Sequence, residues 1–297
     1  MSEAAADLSL EQVRRIVDQL PAIERAVLHG IGEPSLNDQL PSIIHYLKAR
    51  GAYVLFNSNG LALSGERMKR IVAAGPDEIR ISLDAATRAT YAAVRGIDGL
   101  PRIKRNLRAL LTYRDSRRTA APALSCWMTL LRENVTEAPA LVQLAHDVGI
   151  SEVYIQRLVF TGGALATSEH SLFGAASESE LSALEEAEQL ACSLGVRLRG
   201  SDEAQPAEHV AHGGAGPAYQ RCLRPWRLVY VTAQGNVLPC CIAPFAARRY
   251  DNIVLGNAFA QPLADIWHGE KYRAWREGIE SARPLDPCDR CGLEWSL

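Results

Sequence analysis

Apolar residues along this chain recur at two spacings. Between Leu8 and Leu20 they fall at Leu10, Val13, Ile16, Val17 and Leu20, one face of a helix. A short apolar run, Ala26–His29, follows as a strand, and helical and strand periods then alternate. Helices are predicted at Pro41–Arg50, Ser64–Ala74, Thr87–Arg95, Ile103–Arg114, Val135–Val148 and Glu178–Leu194. Strands are predicted at Tyr53–Phe56, Glu78–Leu83, Ala123–Leu131, Val153–Leu158 and, more briefly, Val196–Arg199. Such alternation predicts an α/β fold in which helices cover parallel strands, closed or partly closed as a barrel.

Two stretches break the pattern. Gly162–Ser177 is small and polar, and is expected to loop over one barrel end. Gly200–Gln220 contains PAEHVAHGGAGPAY and has the composition of an interdomain linker. After Cys222 the segment LVYVTAQGNVLPCC gives a strand, a Gly-Asn turn and a second strand, hence a hairpin. Leu263–Ile279, with Trp267, Tyr272 and Trp275, is expected to form one amphipathic helix. The predicted division is a barrel over residues 1–199, a linker over 200–220 and a small domain over 221–297.

Composition narrows the class. The 297 residues are 47% hydrophobic and 22% charged with net charge −2, which suits a soluble chain of one large domain and one small. Without a basic block, nucleic acid is not expected as the main partner. No run approaches the roughly 18 apolar residues of a membrane helix, so no membrane partner is expected. The start, MSEAAADLSLEQ, lacks a basic n-region and an apolar core, and a cytoplasmic location is expected.

In that reducing compartment seven cysteines need an explanation other than disulfides. Cys126 and Cys192 stand alone in SCWMTLL and EQLACSLGV, and are expected to be buried apolar thiols. The other five crowd the last quarter. Cys222 and Cys240 have 17 residues between them, with Gly235 shortly before Cys240, while Cys288 and Cys291 form Cys-x2-Cys. Four thiolates so spaced suit zinc or an iron–sulfur cluster. Strand alternation would turn Cys241 away from Cys240 and leave it outside the ligand set.

The segment CLRPWRLVYVTAQGNVLPCC, followed by LGN, PLADIW and CDRC, resembles the SPASM/twitch extensions of radical S-adenosylmethionine enzymes, which bind auxiliary [4Fe–4S] clusters. The resemblance implies one auxiliary [4Fe–4S] cluster on Cys222, Cys240, Cys288 and Cys291, the shorter twitch-type set. Upstream, GIGEP (Gly30–Pro34) is similar to the family's Gly-Gly-Glu-Pro motif, which holds the methionyl amino group of S-adenosylmethionine. NSNG (Asn57–Gly60) resembles the Thr-Asn-Gly after the third strand, and ISLDA (Ile81–Ala85) the Ser-Leu-Asp after the fourth. YAAVRG (Tyr91–Gly96) resembles the segment whose arginine approaches the cofactor's carboxylate. The implied cofactor contacts are therefore Gly30, Gly32, Glu33, Asn59, Ser82, Asp84 and Arg95. Each has an ordinary alternative: Asn-Gly is a turn, Ser82 and Asp84 can cap a helix, and Arg95 can be a surface charge. Trp127, Gln156 and Arg157, at later strand ends, are candidates for substrate or adenine contact, or for packing.

The chain departs from the family in one respect. Radical S-adenosylmethionine enzymes carry Cys-x3-Cys-x2-Cys after their first strand, and here no cysteine precedes Cys126. Five barrel strands are counted where the family has six, and Leu8–Leu20 corresponds to the helix after the cluster loop. The expectation is a partial (β/α)6 TIM-like barrel lacking its first strand, from a chain whose natural form begins earlier, plus a small C-terminal hairpin/helix iron–sulfur domain. In its complete form, the resemblance implies, a second [4Fe–4S] cluster and S-adenosylmethionine yield a 5′-deoxyadenosyl radical. That radical abstracts hydrogen from a peptide or small-molecule substrate, with a reductase or ferredoxin as electron donor. The chain alone is expected not to cleave the cofactor. The alternatives are a degenerate, non-catalytic relative that binds without turnover and a zinc-stabilised βα-barrel protein.

Overall fold

Ser9 opens the first helix with a capping box: its side chain accepts from the Gln12 N–H, and Gln12 reaches back to the Ser9 N–H. In the computed structural model, residues 3–158, 167, 169–172, 176–200, 205–212 and 218–291 are described. The chain divides into two units. Ile23–Arg157 and His170–Gly213 form the larger; Met1–Ala22, Leu158–Glu169 and Gly214–Leu297 form the smaller.

In the larger unit, six strands lie side by side in chain order and all parallel: β1 (Arg25–Val27), β2 (Tyr53–Ser58), β3 (Glu78–Ser82), β4 (Ala123–Leu130), β5 (Glu152–Arg157) and β6 (Arg197–Arg199). Helices follow between them: α2 (Leu40–Ala49), α3 (Gly65–Ala74), α4 (Arg88–Arg95), α5 (Leu100–Ser116), α6 (Ala138–Val148) and α7 (Glu178–Leu194). The fold is thus the expected partial βα barrel, with six strands among the described residues rather than five. The short Arg197–Arg199 pairs in full with β5 and completes the sheet.

Alternation along the strands separates two faces. Val54, Phe56, Ile79, Ile81, Cys126, Met128, Val153 and Ile155 are buried on one. Glu78, Arg80 and Ser82 share the other with Ser125, Trp127, Thr129, Tyr154, Gln156 and Arg199. There a stack crosses four strands. The Arg80 guanidinium lies 4.3 Å from the Trp127 ring centre, Trp127 stacks on Tyr154 at 4.0 Å, and Arg199 lies 5.7 Å from the Tyr154 ring. Glu78 pairs with Arg80 at 2.8 Å and Glu152 with Arg199 at 2.5 Å, so each outer cation keeps a carboxylate.

The expected linker is partly helical. Pro206–His212 forms α8, with Ala207 and Val210 buried and the Ala207 N–H donating to Glu188 Oε1 on α7 at 2.9 Å. The glycine-rich flanks hide this short amphipathic turn in the composition. The expected loop at Gly162–Ser177 falls largely outside the described residues.

In the smaller unit, α1 (Leu10–Val17) joins the C-terminal segments instead of the barrel to which its sequence position assigned it. Its Ile16 belongs to a core cluster with Val237, Leu238, Ile266, Tyr272, Trp275 and Ile279. Periodicity identified the apolar face of α1 but not its partner. Glu3 Oε1 accepts from Thr232 Oγ1 at 2.9 Å, from Asn236 Nδ2 at 2.7 Å and from the Tyr250 hydroxyl, and Leu263 N–H donates to Gln19 Oε1 at 2.7 Å. After the turn of helix α9 (Arg224–Arg227), the predicted hairpin gains a third strand: β7 (Tyr230–Val231), β8 (Asn236–Leu238) and β9 (Gly256–Asn257), all antiparallel. Gly235 turns it at φ +84°, and a Cβ there would lie 2.4 Å from the Phe259 ring. The short helix α10 (Ala243–Ala246) lies between β8 and β9. The single helix expected at Leu263–Ile279 is two, α11 (Leu263–Trp267) and α12 (Glu270–Glu280). The break falls at Gly269, which is extended at ψ 164° and caps α12.

Candidate cofactor sites

The β1–α2 loop carries GIGEP past the strand end. Gly32 adopts φ +132°, where a side chain is strained although a Cβ would meet nothing within 4 Å. Glu33 then caps a 3-10 turn over Pro34–Leu36. Its Oε1 accepts from the Ser35 N–H at 3.1 Å, the Ser35 hydroxyl at 2.6 Å and the Ser58 hydroxyl at 2.7 Å. Its Oε2 accepts the Asn59 N–H at 2.7 Å. The carboxylate thus joins the ends of β1 and β2, with Oε1 crowded and Oε2 holding room for a further donor. Glu33 is half-buried, and Gly30 and Gly32 are exposed.

Asn59 spends its side-chain oxygen on the Leu61 N–H at 2.9 Å, closing its own turn, so its backbone N–H rather than its amide meets Glu33. Ser82 ends β3, half-buried and in register with Trp127. Asp84 does not cap a helix; Thr87 caps α4 instead. Asp84 is 4% exposed, accepts the Thr129 N–H at 2.7 Å and pairs with Arg95 Nε at 2.5 Å. Burial raises its pKa, with the Arg95 charge the largest opposing influence. Arg95 is therefore a held cation, not a loose surface charge. The structure links Glu33 to Asn59 and Asp84 to Arg95. Sequence reasoning missed Ser35, Ser58, Thr129 and also Asn134, whose amide donates at 2.9 Å to both the Asp84 and Thr129 carbonyls. Ser58 lies within the NSNG motif, and no local motif marks the other three.

Trp127 stacks on Tyr154 at 4.0 Å and lies 4.3 Å from the Arg80 guanidinium, so its ring packs against both neighbouring strands. Gln156 Nε2 donates to Thr129 Oγ1 at 3.3 Å, and Arg157 is 8% exposed.

In the smaller unit five free thiols gather at chain turns: Cys222 before α9, Cys240 and Cys241 after β8, and Cys288 and Cys291 around a 3-10 turn. Burial pushes the Cys288 thiol up to about 12 and raises those of Cys240 and Cys241. The thiols act on one another in a chain, Cys241 and Cys288 on Cys240, Cys291 and Cys222 on Cys288, and Cys222 on Cys241. Because β8 stops at Leu238, strand alternation does not itself set the direction of Cys241. The buried Arg224 favours the thiolates of Cys240 and Cys241. Among the described residues no three His, Cys, Asp or Glu side chains converge on one metal ion. Cys192, expected to be buried, is exposed, while Cys126 is fully buried.

The sequence profile of the radical SAM superfamily matches residues 1–145, and that of the SPASM iron–sulfur cluster-binding domain matches residues 222–292. The chain belongs to the radical SAM/SPASM superfamily. Among the relatives of this radical SAM/SPASM protein is a PqqA peptide cyclase of Streptomyces rochei, 27% identical over 96% of this chain and 73% of that protein. Another, from Methylocella silvestris, is 27% identical over 91% of this chain and 68% of that one. The fold matches SuiB of Streptococcus suis bound to S-adenosylmethionine (TM-score 0.67, 12% identity, 98% of this chain). It also matches anSMEcpe with bound AdoMet and a peptide (TM-score 0.63, 13% identity, 95% of this chain and 76% of that one). The chain spans 65% of the SuiB chain. The four family-implied cysteines all fall within the matched SPASM region. No helix among the described residues is long and apolar enough to cross a membrane.

Proposed function

We propose that this chain binds S-adenosylmethionine at the ends of β1–β3 and one auxiliary [4Fe–4S] cluster in its smaller unit, as part of a radical enzyme that modifies a peptide. The supporting observation is the likeness to PqqA peptide cyclases over nearly the whole chain, joined to a carboxylate already oriented at the strand ends. When bound, the cofactor and clusters supply hydrogen-atom abstraction and one-electron transfer.

The residues would divide the binding as follows. Ser35, Ser58 and the Asn59 N–H fix Glu33 so that Oε2 meets the methionyl ammonium, an acceptor-only group facing a donor-only one. Asp84 holds Arg95 for the methionyl carboxylate. Gly30 and Gly32 let the backbone approach, and Ser82 is available to the ribose. On the same sheet the Arg80–Trp127–Tyr154–Arg199 stack lines one face. Cys222, Cys240, Cys288 and Cys291 would hold the auxiliary cluster. Their donor set fits: four half-buried thiols, of which Cys240 and Cys288 pack against the apolar cluster, with the buried Arg224 beside Cys240 to offset thiolate charge.

The 297 residues hold no cysteine before Cys126, so the test for this chain is binding rather than turnover. Calorimetric titration with S-adenosylmethionine is expected to show one site, weakened roughly tenfold or more by Glu33→Ala, the loss of about 1.5–3 kcal/mol for a charged hydrogen bond. No binding to the wild-type chain, or equal binding to the variant, would refute the assignment. Incubating the chain with cofactor and dithionite is expected to yield no 5′-deoxyadenosine.

A further inference from the structure

One buried donor in the smaller unit has no partner to account for it. Trp275 on α12 is 2% exposed, packed among Val237, Tyr272 and Ile279, yet its indole N–H meets no acceptor in hydrogen-bonding geometry. Leaving such a donor unpaired costs about 1–3 kcal/mol, and buried tryptophans ordinarily find an acceptor. The group beside it is Cys288. Burial dominates at that thiol, and the Trp275 indole is the leading influence in the opposite direction. The indole N–H acts on that thiol as a hydrogen-bond donor and lowers its pKa, although the pair falls outside strict hydrogen-bond geometry.

The difference lies in the acceptor. A neutral thiol sulfur accepts weakly, whereas an anionic thiolate accepts strongly. The donor is also held in advance. Arg276, one residue on, lies 4.3 Å from the Trp267 ring centre and 4.4 Å from that of Tyr272, and donates to the Pro225 and Trp267 carbonyls at 2.9 Å. Cys288 is fixed by its N–H to the Leu285 carbonyl at 2.7 Å. The helix that carries the indole and the turn that carries the sulfur are thus both held by the chain itself.

We propose that Trp275 donates its indole hydrogen bond to the Cys288 sulfur of the auxiliary cluster and, as a positioning residue, sets that cluster's reduction potential. The inference rests on the cluster assignment above. A donor at a ligand sulfur draws off negative charge, stabilises the reduced cluster over the oxidised one and raises the potential.

The test uses the full chain, reconstituted anaerobically, as wild type and Trp275→Phe, which keeps a smaller apolar ring and removes the N–H. Iron and sulfide counts and a redox titration followed by electron paramagnetic resonance are the measurements. Equal iron with a midpoint shifted to more negative potential in the variant is expected. Equal iron with an unchanged midpoint would overturn the proposal. If the variant holds no iron, wild type carrying 15N-labelled tryptophan decides: a 15N hyperfine coupling to the reduced cluster supports the donor, and its absence overturns it. Wild type that binds no iron would instead refute the cluster assignment beneath it.

Discussion

Glu33 receives three donors on one oxygen and one on the other, and Asp84 is split between a backbone N–H and a guanidinium. Both carboxylates are positioned by the chain itself. Asp84→Ala is expected to lower stability by about 2–3 kcal/mol in urea unfolding, at the low end for a broken buried pair because Arg95 still reaches solvent. A change under 0.5 kcal/mol would show that the pair is not contributing. Cys126 gives a pH signature. Burial lifts its thiol from 9.0 to about 12, so the neutral form is favoured by the fold. Its contribution is complete below pH 9 and is lost as pH rises toward 12, by up to about 4 kcal/mol. Cys126→Ala is expected to unfold with a flatter stability profile above pH 9, and identical slopes would contradict the burial argument. At this scale the sequence showed residue types well and partners badly. GIGEP and ISLDA named Glu33 and Asp84, but Thr129 is an ordinary strand residue until the fold brings it near.

Helix α1 shows what elements add. Its apolar stripe and capping box are plain in the chain, but its burial against segments some 220 residues away is a tertiary fact. Ile16→Ala is expected to destabilise the smaller unit by about 2–4 kcal/mol. Hydrogen exchange should quicken in β7–β9 and α12 while β2–β5 stay protected; uniform protection throughout would place α1 outside that core. Long periodic elements such as α7 were legible to their ends. Short ones were not: β9 has two residues, α8 seven, and Gly269 splits one expected helix into two. Too few positions repeat in such pieces for a period to emerge. The alternation argument for Cys241 likewise reaches past a strand that stops at Leu238.

The whole molecule joins a parallel βα sheet that carries the strand-end carboxylates with a separate unit that carries the thiols. The order of strands and the class of the fold were legible because alternation of helix and strand is a repeated signal. The grouping of residues 1–22 with the C-terminal unit was not, because contact over such separation leaves no local trace. The central claim is that four of those thiols hold one iron–sulfur cube. Anaerobic reconstitution of the full chain, with iron, sulfide and zinc counted and the Mössbauer spectrum recorded, tests it most directly. About four irons and four sulfides per chain with a [4Fe–4S] signature, lost on Cys288→Ala, is the predicted result. One zinc without sulfide, or iron indifferent to Cys288, would contradict it.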